Sequence, residues 1–199
     1  MAQLLFLIGV PGSGKSTYTQ KYQELGYKVH SSDAIREELS RKAKIRELKE
    51  NNIDFEEEDI KGDPNDQSFS RKAFLIMFNR TVRDLNKGNN VIYDACNTNR
   101  RSRKQTINQI KEECPDVKIT AVVFDVDIDI CKQRNEQRTK DGSKVLDKNG
   151  NEYTVYREVP EEVIDRMYKA LHDNFPSIEE GFDSLEIIEI KNIEKNIEK

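Results

Sequence analysis

The chain lacks the features that mark secreted, membrane and disulfide-stabilised proteins. Its three cysteines are an odd number without the paired spacing of a metal site. No apolar run approaches the ~18 residues of a membrane span. The first residues, MAQLLFLIGV, have no basic segment and no small-residue cleavage site of a secretory signal. These absences predict a globular protein of a reducing, cytoplasmic compartment with no membrane partner.

The chain also has no large excess of charge of either sign. The 33 basic residues nearly balance the 37 acidic ones, which leaves a net charge of −4. This balance argues against a highly charged disordered chain and against nucleic-acid binding through overall charge. A nucleic-acid partner would therefore need a local basic patch. The 199 residues are enough for one domain with a sizeable core.

Apolar strands and amphipathic helices alternate along the chain. Strands are predicted at 3–10, 27–31, 90–94, 118–126 and 185–190, and helices at 15–25, 33–50, 68–87, 99–114, 127–138 and 160–175. This alternation predicts an α/β fold, a three-layer sandwich with helices on both faces of a five-stranded parallel sheet. In the third helix, Phe74 and Phe78 recur at helical spacing, which predicts core positions rather than a base-stacking platform.

One domain over residues 1–190 is predicted, with a lid insertion at about 139–158 and a frayed tail at 191–199. The lid contains a β-hairpin over 143–156, since the turn sequence DKNGN separates two strand-forming segments.

The first strand runs into a glycine-rich phosphate loop. Residues 9–16 read GVPGSGKS, a full match to GxxxxGK[ST] between a strand and a helix. Backbone N–H groups of such a loop and the following helix N-terminus bind phosphate oxygens, and the lysine reaches the β- and γ-phosphates. The motif predicts ATP or GTP binding, with ATP and Mg²⁺ as the expected pair. The predicted nucleotide-binding residues are Gly9, Pro11, Gly12, Ser13, Gly14, Lys15, Ser16 and Thr17.

The second strand ends in SSDAIRE, which places Asp33 where open α/β sheets bind ligands. A carboxylate there can accept the proton of a hydroxyl that attacks the γ-phosphate. Arg36 follows one helical turn later and is predicted to bind an anionic substrate group. The alternative for Asp33 is a helix N-cap, a role that Asp also favours.

The third strand ends in YDACNTN and leads directly into NRRSRK. Asp94 and the Ser16 hydroxyl are the candidate Mg²⁺ ligands, and Asn97 is a candidate substrate ligand. Arg100 and Arg101 begin a basic first turn, continued by Arg103 and Lys104, that opposes the helix dipole and favours an anionic partner such as a phosphodiester. A solvated charged face is the alternative.

The helix after the fourth strand carries CKQRNEQR, so Arg134 and Arg138 share one face at i and i+4. An arginine next to a closing lid can stabilise charge on the transferred phosphoryl group. Arg134, Arg138, Lys15 and Asp33 are therefore the predicted catalytic residues. A surface pair of arginines is the alternative.

Together these motifs resemble the kinase domain of phage polynucleotide 5′-hydroxyl kinase and its P-loop kinase relatives. The resemblance covers LIGVPGSGKST, SSDAIRE, VIYDACNTNRRSR, VVFDVDIDICKQRNEQR and VPEEVIDRMYKAL. It implies the sheet order 2-3-1-4-5, Asp33 as general base, Arg36 on the nucleic acid, and Arg134 or Arg138 on the nucleotide phosphates. Ala34 departs from the family pattern, which has a second acid there, and the segments 51–66 and 143–156 lengthen the chain around the site.

Three functions are consistent with these residues. The first is an ATP-dependent kinase acting on the 5′-hydroxyl of DNA or RNA. The second is a small-molecule or nucleotide-sugar kinase, resembling gluconate kinases or zeta-type toxins, which the net acidity and the lid favour. The third is a regulatory NTP-binding module, although pure binding needs neither Asp33 nor the paired arginines.

Overall fold

A computed structural model describes residues 2–141, 143–146, 152–155 and 159–191 of the chain. The strands are β1 (Gln3–Ile8), β2 (Lys28–Ser31), β3 (Val91–Asp94), β4 (Lys118–Val126), β5 (Ser143–Leu146), β6 (Glu152–Val155) and β7 (Ser184–Ile190). The helices are α1 (Lys15–Glu24), α2 (Ser32–Glu50), α3 (Ser70–Asn86), α4 (Arg100–Glu113), α5 (Ile128–Asp141) and α6 (Glu161–Asp173). Two 3₁₀ turns cover Gln67–Phe69 and Ile178–Glu180.

The main sheet is parallel, in the order β2-β3-β1-β4-β7. Counted over its five strands, this is the order 2-3-1-4-5 that the family resemblance implied, and the predicted P-loop NTPase fold is confirmed. Strand β1 is central: Leu4 pairs with Val91 on one side and with Ile119 on the other. The phosphate loop therefore begins in the middle of the sheet's carboxyl edge, between the ends of β3 and β4.

Helices cover both faces of the sheet and form two cores. Alternate β1 residues point to opposite faces, so Leu4 and Phe6 belong to one core and Leu5 and Leu7 to the other. The first core packs under α3 and α4 and includes Ala73, Met77, Leu85, Ile107 and Ile110. The second packs under α5 and α6 and includes Cys131 and Ile164, with Tyr18 and Tyr22 of α1 against it. This burial on both faces is the reason why β1 reads as a continuous apolar run.

The structure corrects the prediction for α3. Leu85 is buried, but the rest of the buried stripe runs through Ala73 and Met77, each one position before the predicted aromatic residues Phe74 and Phe78. Phe74 is 40% exposed, and Phe78 is only partly buried against the core. One position on a helix is a rotation of about 100°, which turns Phe74 out of the core.

The predicted hairpin is confirmed, because β5 and β6 pair antiparallel. Helix α5 runs on to Asp141, past its predicted end at residue 138. Residues 142, 147–151, 156–158 and 192–199, which include parts of the predicted lid and nearly all of the predicted tail, lie outside the described residues. Among the helices that the structure describes, none combines the length and apolar character that a bilayer span requires.

Candidate active site

The phosphate loop joins β1 to α1 over residues 9–14. Gly12 has φ +80, and a Cβ atom there would overlap the carbonyl oxygen of Cys131 on α5. Gly14, with φ +98, is the N-cap of α1. Both positions favour glycine because L side chains rarely adopt this left-handed backbone, and at Gly12 α5 also lies directly against the loop. The motif spacing is thus matched by the backbone geometry of a phosphate loop.

Lys15 bonds back across the loop. Its Nζ donates to the carbonyl oxygens of Gly9 and Val10, at 2.8 Å each. The loop is therefore curled around the ammonium group, and the N-terminus of α1, with no acidic residue in its first turn, faces the same space. Positive charge and backbone N–H groups converge there, as an anion site requires.

A cavity of about 620 Å³ lies over the loop. Of the predicted nucleotide ligands it is lined by Pro11, Gly12, Gly14, Lys15, Ser16 and Thr17. Gly9 and Ser13 do not line it. Ser13 is buried, and its hydroxyl oxygen lies 2.7 Å from where a Cβ of Gly9 would be. These two residues contribute to the shape of the loop without lining the cavity.

Asp33 lines the cavity from the start of α2. Ser31, not Asp33, is the N-cap of α2, so the N-cap alternative is wrong. Arg36 donates to the Asp33 carboxylate through Nη2 and to the carbonyl oxygen of Pro64 through Nε at 2.8 Å. The side chain of Asp33 is 39% exposed, whereas that of Arg36 is 10% exposed. Arg36 therefore holds Asp33 in place and anchors the 51–66 segment, while lining the cavity as well.

Three arginines reach the cavity from the opposite wall. Arg134 of α5 lies with Nη1 3.5 Å from the Gly12 carbonyl oxygen. Arg138 donates to Asn135 at 3.2 Å, and Asn135 in turn donates to the carbonyl oxygen of Val159 at 2.9 Å, just before α6. The third is Arg166 of α6, which sequence reasoning missed. The sequence pattern that could have revealed Arg166 is the spacing of Val163, Arg166 and Met167 at i, i+3 and i+4, which places the three residues on one face of a helix.

Ser16 and Asp94 face the same cavity. A hydroxyl and a carboxylate are hard oxygen donors, and Mg²⁺ binds through one or two carboxylates together with water and substrate phosphates. The pair fits Mg²⁺, whose charge would neutralise the phosphates of a bound nucleotide. No cluster of three His, Cys, Asp or Glu side chains suited to a metal occurs in the described part of the chain, so a metal held entirely by protein ligands is not indicated there.

A second cavity of about 750 Å³, here called the side groove, runs between α3 and α4. It meets the phosphate cavity at residues that line both, namely Ser32, Asp33, Arg36, Gln67, Cys96 and Met167. The α3 wall presents Arg71, Phe74, Leu75, Phe78 and Asn79. The opposite wall, from the end of β3 into α4, presents Asn97, Thr98, Asn99, Ser102, Gln105, Thr106 and Gln109.

The predicted substrate residues after β3 separate into three groups. Asn97 lines the side groove, with φ 50, and its Nδ2 donates to the Leu7 carbonyl oxygen at 2.7 Å. Arg100 and Arg101 are exposed and line neither cavity. The prediction that Arg103 belongs to an exposed basic patch is wrong, because Arg103 is buried and ion-paired with Glu180 at 2.7 Å. Its position on the stripe of Ile107 and Ile110 explains its burial.

Cys96 connects the two sides of the site. Its carbonyl oxygen accepts a hydrogen bond of 2.9 Å from the backbone N–H of Gly9, which joins the end of β3 to the phosphate loop. Burial raises the pKa of the Cys96 thiol above its usual range, against a smaller opposing effect of Lys15. A raised pKa favours the protonated thiol, which is a weaker nucleophile than the thiolate.

Comparison with known proteins supports this architecture. A family model described as an AAA domain matches residues 4–173. No curated protein sequence matches the chain. Among solved structures, a chain of the PezAT toxin–antitoxin system of Streptococcus pneumoniae superposes with a TM-score of 0.58 at 14% identity, covering 95% of this chain and 68% of that one.

Two further structures superpose over nearly the whole chain. A fungal RNA kinase gives a TM-score of 0.53 at 14% identity, covering 96% of this chain and 76% of its own. A gluconokinase from Sinorhizobium meliloti 1021 gives 0.51 at 13% identity, with coverages of 98% and 86%. At these identities the likeness shows a shared fold.

Proposed function

Because the chain belongs to the AAA domain family that its residues 4–173 match, we propose that it is an ATP-dependent kinase. Its reaction transfers the γ-phosphate of ATP to the 5′-hydroxyl of a polynucleotide. The phosphate loop binds the triphosphate, and Mg²⁺ held by Ser16 and Asp94 would supply charge neutralisation. Lys15 and the α1 N-terminus stabilise the phosphates.

Asp33 acts on the acceptor in this proposal. Its carboxylate takes the proton of the 5′-hydroxyl as the hydroxyl oxygen bonds to the γ-phosphorus and the bond from that phosphorus to the bridging oxygen of ADP breaks. Arg36 orients the carboxylate. Arg134, Arg138 and Arg166 face the transferred group from the other wall and stabilise its charge.

One observation carries the proposal: Asp33 lines both the phosphate cavity and the side groove. A nucleotide in the first cavity and an acceptor in the second would meet at this carboxylate. A binding module needs no second cavity that joins the phosphate site at an acid. The arrangement therefore favours phosphoryl transfer over nucleotide binding alone.

The surroundings of the side groove support a polynucleotide acceptor. Arg71 lines the groove, and Arg100 and Arg101 lie in sequence between two residues of its α4 wall, Asn99 and Ser102. These exposed cations would contact phosphodiesters beyond the terminal nucleoside and make binding dependent on salt. Their number is small, which suits recognition of a strand end more than of a long duplex.

A small-molecule kinase is the second candidate, because the side groove itself carries few charges. Its α4 wall consists of uncharged amides and hydroxyls, groups that also bind sugar hydroxyls. In this reading Arg100 and Arg101 belong to a solvated face. The catalytic groups and their roles are the same.

Transfer of label from γ-labelled ATP separates the candidates. The acceptors are DNA and RNA oligonucleotides with a 5′-hydroxyl, the same oligonucleotides with a 5′-phosphate, gluconate and other sugars. The proposal predicts label on the 5′-hydroxyl oligonucleotides and none on the 5′-phosphorylated ones. An Asp33→Asn variant controls for contaminating kinases, and Glu47→Gln, an exposed carboxylate on the same helix, controls for the charge change. Labelling of sugars alone would reject the polynucleotide acceptor.

A further inference from the structure

The α3 wall of the side groove exposes apolar surface beside a polar site. Phe74 is 40% exposed and Leu75 is 60% exposed, and Phe78, which also lines the groove, packs partly buried against the core. Aromatic side chains of this size are normally covered. Both aromatic residues face a cavity that leads to Asp33, so the uncovered surface belongs to the site rather than to an unrelated part of the molecule.

The opposite wall has a different and complementary chemistry. Every residue that it contributes from Asn97 to Gln109 is an uncharged amide or hydroxyl. Amide side chains both donate and accept hydrogen bonds, and they match the mixed donor and acceptor edges of nucleobases. The described cations that line the groove are Arg36, which is bonded to Asp33, and Arg71. A phosphodiester inside the groove would therefore find few partners, whereas an uncharged heterocycle would find them on both sides.

We propose that the side groove binds the base of the acceptor's 5′-terminal nucleoside. The base stacks on Phe74 and Phe78, and its edge faces the amides of the α4 wall. This assignment rests on the proposed function, since the 5′-hydroxyl is placed at Asp33. In a nucleoside the base is attached to C1′ and the carbon that bears the 5′-hydroxyl to C4′, on the two sides of the ring oxygen, so a hydroxyl at the junction of the two cavities lets the base extend into the groove.

The groove also discriminates between a base and a sugar ring as its occupant. A sugar presents hydroxyls on most of its surface and would use the amide wall, but it would leave much of the apolar α3 wall uncovered. A flat base offers an apolar π-face to one wall and polar edges to the other. The groove volume of about 750 Å³ lies within the roughly 300–1,000 Å³ of cavities that bind small ligands.

The test compares 5′-hydroxyl oligonucleotides that carry a base or an abasic sugar at the terminal position. Base stacking on an aromatic side chain corresponds to a roughly 5- to 150-fold preference, and we expect a loss of that size in kcat/KM for the abasic acceptor. Phe74→Ala should lower kcat/KM on the normal acceptor by a similar factor and largely remove the preference. The control Phe175→Ala, an exposed aromatic residue that lines neither cavity, should change neither value.

Binding of free adenosine by calorimetry provides a second readout, with far-UV circular dichroism and ATP binding confirming that each variant is folded. Equal kcat/KM for normal and abasic ends would overturn the base assignment and leave the kinase proposal intact. Adenosine binding that Phe74→Ala weakens, without transfer to any oligonucleotide, would support the groove and reject the polynucleotide acceptor. Absence of both transfer and adenosine binding would overturn both proposals.

Discussion

Replacing Arg103 by methionine should destabilise the protein strongly. The guanidinium makes five hydrogen bonds: two to the Glu180 carboxylate at 2.7 Å, and one each to the carbonyl oxygens of Asn97, Thr98 and Asn174 at 2.8–3.2 Å. These use all five of its donors. The side chains of Arg103 and Glu180 are 0% exposed, so methionine leaves the buried carboxylate with only the exposed Arg100, whose Nε lies 3.9 Å away, as a counter-charge.

The magnitude follows from this burial. Breaking a buried ion pair by removing one partner costs about 3–5 kcal/mol. Three carbonyl oxygens also lose a donor, which adds to the cost wherever water cannot replace it. In a chain of this size 1 kcal/mol shifts Tm by about 2–4 °C, so a decrease of roughly 6–20 °C is expected.

A double-mutant cycle followed by urea unfolding and far-UV circular dichroism tests the reasoning. Arg103→Met and Glu180→Leu should each be costly, and the double variant should be more stable than the sum of their effects predicts, by about 2–3 kcal/mol. Lys104→Met, an exposed neighbour on α4, should stay within about 0.5 kcal/mol of the parent. If Arg103→Met does not fold, the loss of stability in Glu180→Gln, which removes the charge of the partner, is measured in its place. Additive single effects below about 1 kcal/mol would refute the account of a buried, satisfied pair.

Three further predictions concern the phosphate loop, Arg138 and the pH dependence of stability. Gly12→Ala should abolish ATP binding in calorimetry, because the added Cβ overlaps an α5 carbonyl at φ +80; unchanged affinity would contradict the loop geometry. Arg138→Ala should lower kcat by roughly 10³-fold or more if it stabilises the transferred group, with ATP affinity changed far less; equal losses in both would indicate a binding role. Burial lowers the pKa of His30 below its ordinary 6.5, and Arg83 lowers that of its partner Asp84. The unfolded chain therefore binds more protons, and stability should fall as the pH drops below 6.5. His30→Gln should flatten this dependence between pH 7.5 and 5 in urea titrations, and an unchanged slope would exclude His30 as its source.

The sheet and the phosphate loop were predictable because local signals specify them. A strand buried on both faces must be apolar throughout, and a loop that turns at positive φ must contain glycine at Gly12 and Gly14. Asp33 was found for a related reason: strand ends in a parallel sheet converge on one edge, so an acid after β2 lies near the loop after β1.

The errors arose where the sequence shows which residues a helix contains but not which of its side chains point toward the core. Arg103 was grouped with the basic residues beside it, although its spacing to Ile107 and Ile110 is that of a buried stripe, and its partner Glu180 lies 77 residues away. Phe74 was assigned to the core because it recurs with Phe78 at helical spacing, whereas the buried stripe runs through Ala73 one position earlier. The side groove could not be predicted, because it depends on how α3 and α4 pack relative to each other.

The role of Asp33 is the central claim, and the pre-steady-state rate of phosphate transfer tests it most directly. With saturating ATP and a 5′-hydroxyl oligonucleotide, Asp33→Asn should slow transfer by about 10²- to 10⁴-fold while ATP affinity stays within about twofold, and Glu47→Gln should match the parent. An Asp33→Asn variant that transfers phosphate at a rate comparable to that of the parent chain would contradict the assignment of this carboxylate as the base.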